Sequence, residues 1–239
     1  MDAELADIRS TAAEERRLTW RDVLSPALRP AVLLGVAVAA TNQLIGVNAV
    51  IYYAPTLLRD AGLGDSAALL STVGLGTAGA LTTLVALLVI DRVGRRPLLL
   101  GGTAVVTVVL ALIGVLYRLP MQGAVPALLV AALIVYQAVF GASLGISIWL
   151  INSEVFPTAV RGKGAAFGTI THWGLDFVIS LTVLTLISSI GASGLFWIFA
   201  VCGLLGFSYL YRKLPETKGR SLEDIESSLR ARGSARAQR

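Results

Sequence analysis

A histidine and an aspartate lie one helical turn apart in a segment that carries no other charge. His172 is the only histidine in the chain, and Asp176 follows it within the stretch THWGLDFVIS. No other charged side chain occurs between Gly164 and Gly191. On a helix, residues at this spacing share one face, where they can fasten neighbouring helices, exchange a proton or bind a cation. Which role applies depends on the solvent around the segment.

A second group of polar side chains lies within the apolar run of residues 31–58. Gln43 and Asn48 would lie about 140° apart on a regular helix, so they can face one cavity only where the helix is unwound. Gly46 lies between them and favours such a break. Amides and phenols suit a neutral polyhydroxylated ligand, and the alternative role is hydrogen bonding between helices. Six polar residues within a stretch of thirteen favour the binding role: Thr41, Asn42, Gln43, Asn48, Tyr52 and Tyr53.

The elements that must position these side chains are apolar helices. The chain is 55% hydrophobic and 15% charged, with a mean hydropathy of +0.75, whereas about 25% of the residues of a soluble domain are charged. A membrane helix needs about 20 apolar residues, and six segments reach that length if the last run divides near Gly191. The composition therefore predicts an all-α membrane protein with six transmembrane helices. Its uncharged runs cover residues 31–58, 67–90, 97–117, 120–153, 164–175 and 177–211.

The basic residues are concentrated in alternate loops and at the ends of the chain. This distribution argues against nucleic-acid binding, although the formal net charge is +5. By the positive-inside rule it places both termini and the basic loops in the cytoplasm, as an even number of spans requires. We therefore expect a multi-pass protein of the cell membrane. Its predicted parts are a cytoplasmic helical arm (1–29), a six-helix bundle (30–211) and a cytoplasmic tail (212–239).

Little in the sequence indicates catalysis or a bound metal. Cys202 is the only cysteine, so an internal disulfide is excluded. No spacing typical of metal ligands occurs, and His172 and Asp176 lack a serine or cysteine that the spacing could nominate as a nucleophile. The sequence therefore predicts no enzyme, no metal site and no cofactor.

Charged motifs at three cytoplasmic edges pair acids with bases. They are DRVGRRP after the second span, SEVFPTAVRGKG after the fourth and LPETKGRSLEDIE after the sixth. Basic residues set the topology, but acids contribute little to it, so the acids need another explanation. Ion pairs that form in one conformation and break in another would provide it, and we predict such a conformational lock. Its members are Asp91, Arg92, Gly94, Arg95, Arg96, Glu154, Arg161, Pro215, Glu216 and Gly219.

These motifs, together with QLIGVNAVIYYAP in the first span, resemble the sugar porter branch of the major facilitator superfamily. The resemblance covers nearly the whole chain but only the C-terminal half of the family's architecture, which has two six-helix bundles. It implies that the substrate lies between the two bundles and is carried by rocking one against the other. A start at Met1 favours a truncated gene product. The alternatives are a split gene, pairing with a separate N-terminal six-helix half, and self-association.

The resemblance also implies a substrate pocket. Family pocket positions are matched by Gln43, Asn48, Tyr52, Trp149 and Trp173. Four positions depart from the family: Asn42 and His172, where glutamine is usual, and Gly79 and Asp176, where asparagine is usual. Gly79 removes a hydrogen-bond partner, and the other three keep polarity but change size or charge. Together with Tyr53, the polar and aromatic residues of both sets are the substrate-binding candidates.

Trp149 shares a predicted helical stripe with Gly141 and Gly145, four residues apart. The two glycines indicate close helix packing. For the indole, packing and contact with the ligand are equally compatible with the sequence.

The sequence thus predicts half of a secondary transporter that carries a sugar or sugar-like solute by alternating access, as a proton symporter or a facilitator. Inositols, amino sugars, modified sugars and cationic solutes all remain open as substrates. The alternative is a truncated or non-transporting sensor or interaction subunit, which the short cytoplasmic extensions disfavour. Two hypotheses remain for His172 and Asp176: a neutral or ion-paired contact that fastens helices, and a protonation or cation-binding site.

Overall fold

The computed structural model describes residues 19–216, so most of the predicted arm and tail lies outside the described residues. Within this range the chain forms α-helices and one short 3₁₀ helix, Thr158–Val160, and no strand. The α-helices are α1 (Trp20–Val23), α2 (Arg29–Leu44), α3 (Val47–Asp60), α4 (Asp65–Val93), α5 (Arg95–Leu116), α6 (Val125–Ala142), α7 (Leu144–Glu154) and α8 (Arg161–Lys213).

Among residues 19–216, five helical stretches are long and apolar enough to cross a membrane: Arg29–Asp60, Asp65–Val93, Arg95–Leu116, Val125–Glu154 and Thr158–Lys213. Two of them are interrupted rather than straight. The first consists of α2 and α3, which meet at Gly46, and the fourth consists of α6 and α7, which meet at Ser143.

The last stretch contains two crossings. Helix α8 has 53 residues, which would extend about 80 Å at 1.5 Å per residue, far beyond a hydrocarbon core of about 30 Å. Gly191 has non-helical angles (φ 73°, ψ 166°) and divides α8 into a first arm (161–190) and a second arm (192–213). The division predicted near Gly191 is therefore confirmed, and the count of crossings becomes six.

Hydrogen bonds at its two ends show that the second arm runs antiparallel to α5. At one end, Ser193 Oγ donates to the carbonyl oxygen of Gly114 at 2.7 Å. At the other end, Arg96 Nη2 donates to the carbonyl oxygen of Tyr211 at 2.9 Å. Because the chain reverses at Gly191, both arms of α8 can pack against neighbouring helices, and α8 contacts α2, α5 and α7.

The bundle has an apolar core and an apolar exterior. Tyr136, Phe156 and Phe196 are fully buried, whereas Leu70 and Leu88 on α4 are more than 70% exposed. An exterior of this kind is unfavourable in water and suits lipid. The predicted all-α architecture with lipid-facing helices is confirmed.

One expectation about the fourth span is wrong. The stripe of Gly141, Gly145 and Trp149 assumed a regular helix, but Ser143 (φ −135°, ψ −76°) separates α6 from α7. Gly141 does pack closely, because a Cβ there would lie 2.6 Å from the carbonyl oxygen of Gly79 on α4. Gly145 instead lies against Phe140 of its own span.

Candidate functional site

A break at Gly46 brings two amides of the first span together. Gly46 adopts left-handed angles (φ 79°, ψ 25°), which cost little only for a residue without a side chain. Across the break, Asn48 Nδ2 donates to Gln43 Oε1 at 3.3 Å. The carbonyl oxygen of Ile45, freed from the helix, accepts a hydrogen bond from Tyr136 Oη at 2.9 Å. The unwinding expected at Gly46 is therefore present, and the amides converge.

Two further contacts extend this pair into a chain of four polar side chains. Asn48 Nδ2 also donates to Asp176 Oδ1 at 2.7 Å, and Gln43 Nε2 lies 2.9 Å from His172 Nε2. The order of contacts is therefore His172, Gln43, Asn48, Asp176, with the outer members on the first arm of α8. Gln43, His172 and Asp176 are all at least nine-tenths buried. We call these four residues the polar chain.

The polar chain lies deep in the membrane. Asp176 follows Lys163 by 13 residues, or about 20 Å of helix. A carboxylate facing lipid at such depth would cost about 2.5–3.5 kcal/mol on translocon-insertion scales, and Asp176 instead faces the interior. No ion pair joins His172 to Asp176 among residues 19–216, so the ion-paired form of the helix-fastening hypothesis is wrong. Each contacts an amide of the first span instead.

Aromatic rings surround the histidine end of the polar chain. The ring centroids of Trp149 and Trp173 lie 5.0 Å and 5.2 Å from that of His172. Both indoles remain about half exposed, as does Tyr52 on α3. Aromatic faces open to a cavity can stack on an apolar face of a ligand or attract a cation.

A cavity of about 170 Å³ opens beside the polar chain. It is smaller than the roughly 300–1,000 Å³ of typical ligand pockets, as expected for part of a site. Its lining is Asn42, Val47, Asn48, Ile51, Phe140, Gly145, Ile148, Trp149 and His172. Asn42 also fastens the fold, since its Nδ2 donates to the carbonyl oxygen of Leu144 at 3.2 Å.

Most of the predicted pocket residues thus lie together, but Tyr53 serves a different purpose. Its Oη donates to the carbonyl oxygen of Ser180 at 2.8 Å, which ties α3 to the first arm of α8. Tyr52 stays on the open side, within electrostatic range of Asp176. A ligand contact by Tyr52 stays a prediction, and the hydrogen bond of Tyr53 shows that this residue positions α3.

The sequence interpretation missed Gln137 on α6. Its side chain fills the space above Gly79, where a Cβ would lie 2.8 Å from Gln137 Nε2. Gln137 is 7% exposed, and its Oε1 has no hydrogen-bond partner within residues 19–216. The amide of Gln137, on the neighbouring helix α6, thus occupies space beside Gly79, where the family usually has an asparagine amide. The sequence feature that could have indicated Gln137 was a single amide in the middle of an apolar segment.

The charged motifs meet at the N-terminal end of α5, opposite the end that contains Gly114. Arg95 contacts Asp91 at 2.9 Å and Glu154 at 3.2 Å, and Glu216 accepts hydrogen bonds from the backbone nitrogens of Arg95 and Arg96 at 3.1 Å and 3.2 Å. Glu216 thereby caps the positive end of α5. We call Asp91, Arg95, Glu154 and Glu216 the edge cluster.

Other members of the predicted lock surround the edge cluster. Gly94 (φ 99°) makes the turn and leaves room for Glu216, whose Oε2 would lie 2.8 Å from a Cβ there. Arg161 donates to Thr158 Oγ1 at 3.2 Å and forms no ion pair within 4.0 Å in the described part of the chain, so its place in the lock stays a prediction. Pro215 is buried beside Glu216, Arg92 is exposed, and Gly219 lies outside the described residues.

The comparisons with known proteins all match this chain to transporters. A family model described as "Sugar (and other) transporter" matches residues 1–229. The probable metabolite transport protein CsbC of Bacillus subtilis (strain 168) is 37% identical over 233 residues, covering 97% of this chain and 50% of CsbC. The arabinose-proton symporter of the same organism is 34% identical over 223 residues, covering 93% of this chain and 48% of the symporter. The chain spans about half the length of the curated relatives it matches.

A solved structure shows the same architecture. The proton:xylose symporter XylE bound to 6-bromo-6-deoxy-D-glucose matches with a TM-score of 0.72 at 28% identity. The match covers 83% of this chain and 42% of the XylE chain. The helices described above therefore correspond to part of a larger transporter fold.

Proposed function

This chain belongs to the sugar porter family of the major facilitator superfamily, and we propose that it forms half of a secondary transporter for a sugar or sugar-like solute. Members of this family are transporters rather than enzymes. In the proposed mechanism the half described here rocks against a second six-helix half, so that a site between them opens alternately to each side.

The observation that carries this proposal is the polar chain at membrane depth. Irregular backbone within the hydrocarbon region is tolerated where it is buried in protein or lines a cavity. Gly46 is buried, and the next residue, Val47, lines the cavity. The break directs Asn48 toward a cavity that also contains an indole, Trp149. Amides for hydroxyl groups and an aromatic ring for an apolar sugar face are the groups that a carbohydrate requires.

A second six-helix half is part of the proposal. The cavity beside the polar chain is small and open, and Trp149, which lines it, is about half exposed. Tyr52 and Trp173, which lie near Asp176 and His172, are about half exposed as well. A facing bundle would cover these rings and complete the pocket. It could be a separate chain or a second copy of this one.

In its more specific form, the proposal is that transport of the solute is coupled to transport of a proton. His172 and Asp176 are the ionisable groups of the polar chain, and both are buried. We expect Asp176→Asn or His172→Gln to flatten the pH profile of transport in the assembled transporter. An unchanged profile and unchanged selectivity in both variants would make the pair structural.

The test of transport is solute uptake by the assembled protein. The chain would be co-expressed with the N-terminal six-helix bundle of a relative such as the arabinose-proton symporter, and uptake of labelled monosaccharides measured in vesicles. We expect uptake, and its loss in Asn48→Ala. Ser208→Ala, on an outward part of α8, is the control and should transport normally. Solute binding without uptake in any pairing would favour the sensor or interaction subunit.

The proposed orientation has its own test. Cysteines placed at Asp65, the first residue of α4, and at Arg92, in the exposed last turn of α4, would be labelled with a membrane-impermeant reagent in a Cys202→Ser background. If both termini are cytoplasmic, position 65 reacts from outside and position 92 only after the membrane is opened. The reverse pattern would contradict the orientation.

A further inference from the structure

We propose that the solute taken by this site is a polyhydroxylated amine, whose ammonium group lies against Asp176. This inference rests on the proposed function and narrows its substrate class. It depends on the balance of positive and negative charge among the four residues of the polar chain. A site made of amides alone would contain no ionisable group.

The donors and acceptors of the polar chain indicate a neutral His172. Asn48 Nδ2 donates to both Gln43 Oε1 and Asp176 Oδ1. With its carbonyl oxygen turned to Asn48, Gln43 presents its amide nitrogen to His172. An amide nitrogen only donates, so His172 Nε2 must be the acceptor, and an imidazole with an accepting nitrogen carries no charge.

Among residues 19–216, Asp176 is therefore left without a cationic partner. The groups that face it are Asn48 on α3, which is neutral, Tyr52 on the same helix, which is within electrostatic range, and His172 on its own arm. No lysine, arginine or histidine nitrogen lies within 4.0 Å of its carboxylate in the described part of the chain. A buried carboxylate without a cation is unfavourable, and intramembrane acids usually mark a substrate or ion path. In this proposal the bound solute supplies the positive charge.

The surroundings favour an organic ammonium over a metal ion. Among residues 19–216 no three His, Cys, Asp or Glu side chains come together as a metal site, and hard cations need several oxygen ligands. Trp149 and Trp173 lie beside the polar chain with half-exposed indoles. Indole faces attract ammonium groups. Asn42 and Asn48 line the adjoining cavity and suit the hydroxyl groups of the same molecule.

Calorimetry on the purified full chain in lipid nanodiscs tests the inference. The probes are glucosamine, with its amine protonated, and two neutral molecules of the same ring type, glucose and N-acetylglucosamine. We expect glucosamine to bind about tenfold tighter than glucose, equivalent to about 1.4 kcal/mol. Asp176→Asn should abolish this preference while glucose still binds, and Asp176→Glu should retain part of it. Asp65→Asn, whose side chain is 81% exposed and lies outside the polar chain and the edge cluster, is the control for a change in total charge.

The outcomes separate the substrate class from the proposed function. Equal binding of the three probes, unchanged by Asp176→Asn, would overturn the amine and leave a sugar site. Preference for glucose with uptake of one proton, measured in buffers of different ionisation heat, would show that a proton neutralises Asp176 and would also overturn it. Absence of binding by every probe to a folded chain would count against both the amine and the half-site.

Discussion

Asp176 in the polar chain and Glu154 in the edge cluster are both acids held by residues from other helices, yet their surroundings differ in one decisive respect. Glu154 contacts the guanidinium of Arg95 at 3.2 Å, and its side chain is 26% exposed. Asp176 is 9% exposed and is held by the neutral amide of Asn48. Within the described residues, the edge acid has a cationic partner and is partly exposed, whereas the membrane acid has no cationic partner and is buried.

This difference separates two roles for charge. An ion pair that water can reach contributes about 0–1 kcal/mol, so it can break and reform as the protein changes conformation. A carboxylate removed from water is unfavourable without a counter-charge, although a cation that binds it must also lose its own hydration. The edge cluster is suited to bias conformations, and the polar chain is suited to bind.

The largest expected effect concerns the glycine that shapes the polar chain. Gly46→Ala adds a Cβ that overlaps the Phe199 ring at a position with φ 79°. Backbone strain and overpacking together should lower the free energy of unfolding by about 2–5 kcal/mol. The matched control is Gly62→Ala, where φ is 83° but no atom lies within 4 Å of the added Cβ. Thermal unfolding in detergent measures both, and equal losses would mean that the contact with Phe199 is unimportant.

An intermediate effect is expected from restoring asparagine at position 79. Gly79→Asn alone brings its Cβ to 2.8 Å from Gln137 Nε2 and should destabilise the bundle by about 1–3 kcal/mol. In the double variant Gly79→Asn, Gln137→Ala, the new amide can occupy the space that the old one leaves. We expect the double variant to be more stable than the two single changes predict by addition. Additive effects in a double-mutant cycle would show that Gln137 does not replace the missing amide.

The smallest effect on stability is expected at the edge cluster. Glu154→Gln should change the free energy of unfolding by less than about 1 kcal/mol while altering transport by the chain paired with an N-terminal bundle. Asp91→Asn is the comparison, because Asp91 contacts the same arginine but its side chain is 76% exposed. We expect it to alter transport less. Normal transport in Glu154→Gln would contradict the conformational lock and leave the charges of the edge cluster as topology signals only.

Local features of the molecule could be predicted well from the sequence. Helix breaks at Gly46 and Gly191 follow from glycine's access to positive φ, and both occur. The break at Ser143 was missed, since serine is not a typical helix breaker and the stripe of Gly141 and Gly145 suggested continuity. Prediction succeeded where one residue type has one distinctive conformation and failed where neighbours impose it.

The candidate site was predicted as a set of residues but not as a set of contacts. Asn48 was grouped correctly with Gln43 because the two are close in the chain. Tyr53 belonged to the same group by sequence, but its hydroxyl group faces a carbonyl of α8. Which side chain points into a cavity depends on the angle between helices, and composition carries little information about it.

By itself, the amino-acid sequence determined the six apolar segments, the charged edges between them and the two glycine breaks. These depend on neighbours along the chain, on hydrophobicity and on backbone freedom. Only the tertiary structure decided that Gln43 meets His172, 129 residues away, and that Gln137 occupies the space above Gly79. Such contacts depend on how whole helices pack, since a small rotation of one helix would turn either side chain toward a different neighbour.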